Sequence, residues 1–385
     1  MFFSISKQKL GNFPVNIHCH KFWINLDPGW TVEHRDNFTV IFKGYADDFN
    51  LKSNIDKILE QSQPNFLGNF CLLKISSSAV EMFTDLYRSF PVFFDRHQQL
   101  TNLWCTAQSY TCWTDSIVKL TSEFELEENK FDVIGPMQLD GTMNLDHAIN
   151  QIIEILDLKV QKLINNHNQP IKVFLSGGID TTLIYSFLKK HKADIELVRG
   201  QFFEYDRFWL QNHGDIKKFW GYQQFHHFIT PTILASGAPG DEFMLRSPVS
   251  IDLWIKHHGI NMMDLLHMDH WKDCLHYDYF LLDKHKKIFE TQAPPDHNVV
   301  WSICNILVND WQHWHLGNTL TWTPLRDLAI TKILLSLPIE QSLPQIMNSD
   351  ISKQIIERNV PGLCKIISDS KNSKNYLSNL VGLIA

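Results

Sequence analysis

Residues 171–190 read IKVFLSGGIDTTLIYSFLKK, and this stretch decides the fold class. It opens on a short apolar run, Ile171 to Leu175, of the kind that forms a buried strand. Gly177 and Gly178 follow, and two consecutive glycines let the backbone bend tightly and approach a ligand closely. From Thr182 to Lys190 apolar residues return at helical spacing. A helix that starts directly after such a turn points its N–H groups and the positive end of its dipole into the turn, which makes an anion cradle. Ser176, Thr181 and Thr182 add hydroxyl donors, and Asp180 adds a hard carboxylate suited to Mg²⁺. The expected anion is therefore a nucleotide phosphate accompanied by its metal. The Gly-Lys-Ser/Thr ending of a Walker loop is absent. The same residues also suit a plain strand-to-helix turn with a capping Asp.

Outward from this stretch the α/β pattern continues. AINQIIEILDLKVQKLI (148–164) repeats apolar residues at helical spacing, so helix, strand, glycine turn and helix succeed one another. A second turn of the same design lies at 232–245, TILASGAPGDEFML: an apolar strand, then Ser236, Gly237, Gly240, Asp241 and Glu242, then an apolar helical stretch. The polar, acidic composition from 117 to 146 reads as a linker, which gives an N-terminal domain over 1–116 and an α/β domain over 147–385.

These two turns resemble a known family. SGGIDTT is similar to the SGGxDS pyrophosphate loop of the ATP pyrophosphatases, and SGAPGDE to the SGxGxDE segment of asparagine synthetases and β-lactam synthetases. TWTPLRD (321–327) falls beside that family's R-x-P-[FY]-L-D segment, with Trp322 in the place of the Arg and Arg326 in the place of the Leu. IIERNVPGL (355–363) falls beside its late Pro-containing helix. The resemblance covers about 150–372 and implies a parallel-sheet, HUP-type ATP-pyrophosphatase domain. It also implies a reaction in which a carboxylate attacks the α-phosphate of ATP, pyrophosphate leaves, and ammonia or a primary amine takes the acyl group. Carried onto this chain, it gives ATP contacts to Ser176, Gly177, Gly178, Asp180, Thr181, Thr182, Ser236 and Gly237, Mg²⁺ ligation to Asp180 and Asp241, and catalytic roles to Glu242 and Lys371. Glu242 also suits a helix-start residue stabilised by the dipole. Lys371, with Lys374 nearby, also suits a solvated tail.

Residues 1 to about 115 are β-rich: FTVIFKG (38–44), FCLLKIS (70–76), VEMFTD (80–85) and PVFFD (91–95) are apolar runs broken by turn residues. The expectation is an α+β, largely antiparallel domain. FLGNFCLLKI and FTDLYRSFPVFF are similar to segments of the glutaminase (Ntn-hydrolase) domain of asparagine synthetases, but Phe2 stands where that domain has its nucleophilic Cys, so a degenerate domain without glutamine hydrolysis is expected. Cys19, between His18 and His20, would be a nucleophile only after cleavage; a buried cysteine is the other reading.

Composition bounds the alternatives. With 44% hydrophobic residues, 12 Trp and 26 Phe, the 385-residue chain has the material for packed cores. A net charge of -7 argues against a nucleic-acid partner. Seven dispersed cysteines without a CxxC pair argue against a disulfide framework or a structural zinc. Neither a signal-like N-terminus nor a spanning apolar stretch is read, so the expectation is a cytoplasmic enzyme acting on ATP and a small carboxylate or amine such as aspartate or a peptide. Two rivals stand beside it: a catalytically silent scaffold of the same fold, and a pyrophosphatase-loop enzyme that modifies a nucleobase. Oligomeric state is not readable from the sequence.

Overall fold

The computed structural model describes residues 3–11, 13–27, 29–46, 51–60, 67–85, 92–95, 99–101, 111–113, 117–127, 143–174, 178–198, 232–237, 240–246 and 319–365. The architecture is mixed α/β, with antiparallel sheets in the N-terminal part and a parallel four-stranded sheet later. By its contacts the chain divides into two compact units, Met1–Gly135 with Gly200–Leu234 and Leu307–Trp322, and Pro136–Arg199 with Ala235–Ile306 and Thr323–Ala385.

The N-terminal strands are β1 (Phe3–Ser6), β2 (Val15–Cys19), β3 (Phe22–Leu26), β4 (Thr31–His34), β5 (Thr39–Ala46), β6 (Gly68–Ile75), β7 (Ala79–Thr84), β8 (Val92–Asp95), β9 (Gln99–Thr101), β10 (Thr111–Trp113), β11 (Ile117–Thr121) and β12 (Leu126–Glu127). They form two six-stranded sheets in the orders β10-β8-β9-β1-β3-β2 and β12-β11-β7-β6-β5-β4. Pairing is antiparallel, with β5 on β6 from Thr39↔Ile75 to Ala46↔Gly68. The long central strands bury both faces, so they appear in the sequence as continuous apolar runs. Val40, Phe42, Phe70, Leu72 and Phe83 pack with Ile55 and Ile58 of helix α1 (Leu51–Glu60). The β-rich, α+β reading of this part did not place that helix. Its signal is the i, i+3 spacing of Ile55 and Ile58, short enough to be missed beside the strand runs.

Between the sheets, Lys43 on β5 donates to both carboxylate oxygens of Asp27 at 3.1 and 3.0 Å, and Trp30 Nε1 donates to the same carboxylate at 2.7 Å. Burial pushes the Lys43 ammonium down in pKa and Asp27 opposes it. The expected linker does not begin at 117. Ile117–Thr121 pair with Ala79–Phe83 and continue into β12, because IVKLT extends the apolar edge that β7 leaves open.

In the later part, α2 (Leu145–Asn166) is capped by Asn144, whose side chain accepts from Asp146 N at 2.8 Å. Ala148, Ile149, Ile152, Leu156, Val160 and Leu163 form its buried stripe, which matches the spacing read from the sequence. Strands β13 (Ile171–Phe174), β14 (Ile195–Val198), β15 (Thr232–Ala235) and β16 (Thr319–Trp322) form the parallel sheet in the order β14-β13-β15-β16. Helices α3 (Ile179–Lys190), α4 (Gly240–Phe243), α5 (Leu328–Leu335), α6 (Ile339–Met347) and α7 (Asp350–Asn359) complete the described elements. α3 buries every residue from Thr181 to Leu188, as expected of a helix in the middle of a layer rather than at its surface. Among the described residues no helix is long and apolar enough to cross a membrane.

Candidate functional site

In a parallel sheet, ligands bind outside the carboxyl ends of the strands where the strand order reverses. Here that point is β13, which has β14 on one side and β15 on the other. The turn after β13 leads into α3, whose N-cap is Gly178, and the turn after β15 leads into α4. The two glycine turns read from the sequence thus lie at adjacent strand ends.

They meet at Asp180. A Cβ on Gly237 would stand 2.7 Å from Cβ of Asp180 and closer still to the backbone of Asp180 and Thr181. Backbone reaches this close to backbone only where there is no side chain, so Gly237 is required by packing. α4 is a single turn, with Gly240 N donating to Gly237 O at 2.8 Å and Met244 N to Gly240 O at 2.8 Å. The chain then reverses through Leu245, a buried non-glycine residue at φ 57°, and delivers Arg246 back toward α3.

Arg246 Nη2 donates to Oδ1 of Asp180, and Arg246 Nη1 donates to Oγ of Ser349 at 3.0 Å. Both charged side chains are largely buried, at 7% exposure for Arg246 and 16% for Asp180. Ser349 is the residue before α7 and sits at φ 60° with no capping bond from its side chain; its hydroxyl serves Arg246 instead.

Of the expected site residues, the structure brings Gly178, Asp180, Thr181 and Gly237 into one locus, with Ser236 immediately before Gly237. Thr182 departs from expectation: its Oγ1 donates to Gly178 O at 2.8 Å and the residue is 1% exposed, so its hydroxyl proton serves the helix rather than a ligand. Asp241 and Glu242 belong to α4, but their side chains, together with Ser176, Gly177 and Lys371, lie outside the described residues.

The TWTPLRD segment is structural where it is described. Asp327 caps α5 by accepting from Ala329 N at 2.8 Å and pairs with Lys159 of α2 at 2.9 Å. Thr331 Oγ1 of α5 donates to Phe243 O at 3.0 Å, which ties α5 to the second glycine turn. Arg326 is 4% exposed. Sequence reasoning missed Arg246, which directly follows the 232–245 segment; its bonds to Asp180 and Ser349, both far off in sequence, are what mark it.

Among the described residues no three His, Cys, Asp or Glu side chains gather as a metal-ligating group. The Asp180 carboxylate already has a guanidinium as counter-charge and is walled by Gly240, so among the described residues its surroundings do not fit a Mg²⁺ site. No family model matches the chain, and no curated protein matches it.

Proposed function

We propose that the chain is an ATP-using ligase, and more particularly an asparagine synthetase-like, AMP-forming carbon–nitrogen ligase. In this reading the parallel sheet is a HUP-type ATP-pyrophosphatase domain and the two antiparallel sheets are a degenerate Ntn-type domain without glutamine hydrolysis. The observation that carries it is the meeting of SGGIDTT and SGAPGDE at Asp180, on the N-terminal end of α3 and at the carboxyl ends of β13 and β15. A ligand there faces a helix dipole and a glycine-walled turn, which suits a leaving pyrophosphate.

The substrate carboxylate bonds to the α-phosphorus of ATP while the bond to the bridging oxygen breaks, and pyrophosphate leaves with that electron pair. The nitrogen of ammonia or a primary amine then attacks the acyl carbon, AMP leaves with the C–O electron pair, and the nitrogen loses a proton. Any Mg²⁺ would be the nucleotide's own counter-ion, neutralising phosphate charge, and no described residue is assigned to hold it. Lys371 is assigned to the charge that develops on the phosphate and the tetrahedral intermediate, and Glu242 to contact with substrate.

ATP–pyrophosphate exchange, screened over aspartate, other amino acids and short peptides, tests this. Exchange dependent on one carboxylate is the expected result. ATP binding without exchange on any carboxylate would instead favour a silent binding protein, a reading supported by the engagement of Asp180 by Arg246. Absence of ATP binding would overturn both.

A further inference from the structure

Arg246 is held in a way that ordinary surface arginines are not. From its place just after α4, its guanidinium bonds to two distant segments: Asp180 in the first turn of α3 and Ser349 ahead of α7. The residues on which this depends, Leu245 at φ 57° and Ser349 at φ 60°, both adopt the left-handed backbone region that non-glycine residues avoid. Strain of this kind persists where the surroundings over-determine a local geometry. Ser349 also gives its hydroxyl to Arg246 where a serine before a helix ordinarily caps it.

The charge arrangement differs from the one the sequence resemblance implies. A carboxylate that ligates Mg²⁺ shares an octahedron of oxygen ligands, and a guanidinium bonded to the same carboxylate repels the dication. At Asp180 the guanidinium is in place, and a Cβ on Gly240 would come within 2.6 and 2.7 Å of the two carboxylate oxygens, so the backbone closes that side as well.

We propose that Arg246 takes the cation's place at Asp180. It is a positioning residue that supplies a fixed positive charge beside the N-terminus of α3, so that nucleotide binding here needs no divalent cation bridging to Asp180. This inference rests on the nucleotide reading of the site. It makes Asp180 the partner that holds Arg246, and it gives the two residues opposite signs of effect on a polyphosphate ligand.

Calorimetric titration of the full chain with ATP, in excess EDTA and in excess MgCl₂, tests it. The wild-type affinities should agree within about threefold. Arg246→Gln should weaken binding in EDTA by about tenfold or more, partly recover in Mg²⁺, and be restored by Arg246→Lys, which keeps the charge. Asp180→Asn should keep or tighten binding in EDTA, because the guanidinium loses its neutralising partner. A merely structural role for Arg246 would not change the Mg²⁺ dependence. Wild-type binding that is lost in EDTA and returns with Mg²⁺ would overturn the proposal while leaving the nucleotide site intact, as would loss of Mg²⁺-supported binding in Asp180→Asn with its fold preserved. Absence of ATP binding in both buffers would remove the nucleotide reading and this inference together. Should Arg246→Gln fail to fold by circular dichroism, the wild-type comparison in the two buffers decides alone.

Discussion

Gly240 lies against the carboxylate of Asp180, with no space between them for a methyl group: a Cβ at residue 240 would meet both carboxylate oxygens within 2.7 Å. A residue of the second glycine turn therefore shapes the first residues of the helix that follows the other turn. The two turns behave as one structure, and a change in either is felt at Asp180.

Gly240→Ala should displace the Asp180 side chain from Arg246 and destabilise the chain by about 1–3 kcal/mol, the usual range for overpacking. Gly237→Ala should cost at least as much, since its Cβ would meet backbone rather than a movable side chain. Gly11→Ala is the control, because a Cβ there meets nothing within 4 Å. Urea unfolding of the three variants, read with ATP titration, checks this; equal stability of Gly240→Ala and wild type would contradict the packing argument.

Asp327→Ala removes both the cap of α5 and the partner of Lys159. Lys159 is 13% exposed in its side chain and would lose this ion pair, so a loss of about 1–3 kcal/mol is expected from the cap and the pair together. Asp327→Asn keeps an acceptor for the Ala329 N–H and should lose less. If Asp327 instead served catalysis, turnover would fall without a change in melting temperature.

The Cys19 thiol is pushed up to about 11 by burial. At neutral pH its thiolate fraction is on the order of one part in ten thousand. Its neighbour His20 is engaged through Nε2 with Ser76 O at 2.8 Å, and His18 packs at a tilt of 54° against Trp23. Iodoacetamide under native conditions should leave Cys19 unmodified at neutral pH and label it in urea, as peptide mass mapping would show. Rapid native labelling, together with a mature N-terminus at Cys19, would revive a nucleophilic role and glutamine chemistry.

Glu357 accepts from Gly362 N at 2.7 Å and from Cys364 N at 3.1 Å. The first of these bonds holds its carboxyl below the ordinary 4.5, burial acting in the other direction. A depressed folded value means that the stabilisation is present above pH 4.5 and is lost as pH falls through the lower folded value. Glu357→Gln should therefore lower hydrogen-exchange protection of the Gly362 and Cys364 amides at neutral pH, with the difference from wild type closing at strongly acid pH. A difference that does not depend on pH would rule out the carboxylate as its source.

Lys371→Met is expected to slow ATP–pyrophosphate exchange by about 100-fold with little change in ATP affinity, because a charge used mainly in the transition state appears in kcat. Lys374→Met is the companion variant. A larger loss for Lys374→Met would move the assignment to that residue.

Much of the architecture was legible in the linear sequence, for a local reason. Strand, turn and helix at 171–190 follow from which neighbours are apolar and where the glycines stand, and α2 follows from the repeat of Ile149, Ile152, Leu156, Val160 and Leu163. Gly237 and Gly240 were visible as turn residues for the same reason. Their true constraint, the surface of Asp180, belongs to another segment and leaves no mark on their own neighbourhood. What tertiary structure alone decided is the charge and hydrogen-bond partnership of each polar group. Asp180 reads as a metal ligand in the sequence, while the structure bonds its carboxylate to Arg246, and Thr182 reads as a phosphate donor, while its hydroxyl donates to Gly178. Asp327 reads as part of a substrate segment until Lys159 and the N-terminus of α5 claim it. Apolar periodicity is a property of the chain taken a few residues at a time. A buried ion or hydroxyl is fixed by whichever partner satisfies it, and that partner is chosen by packing between segments far apart in the sequence.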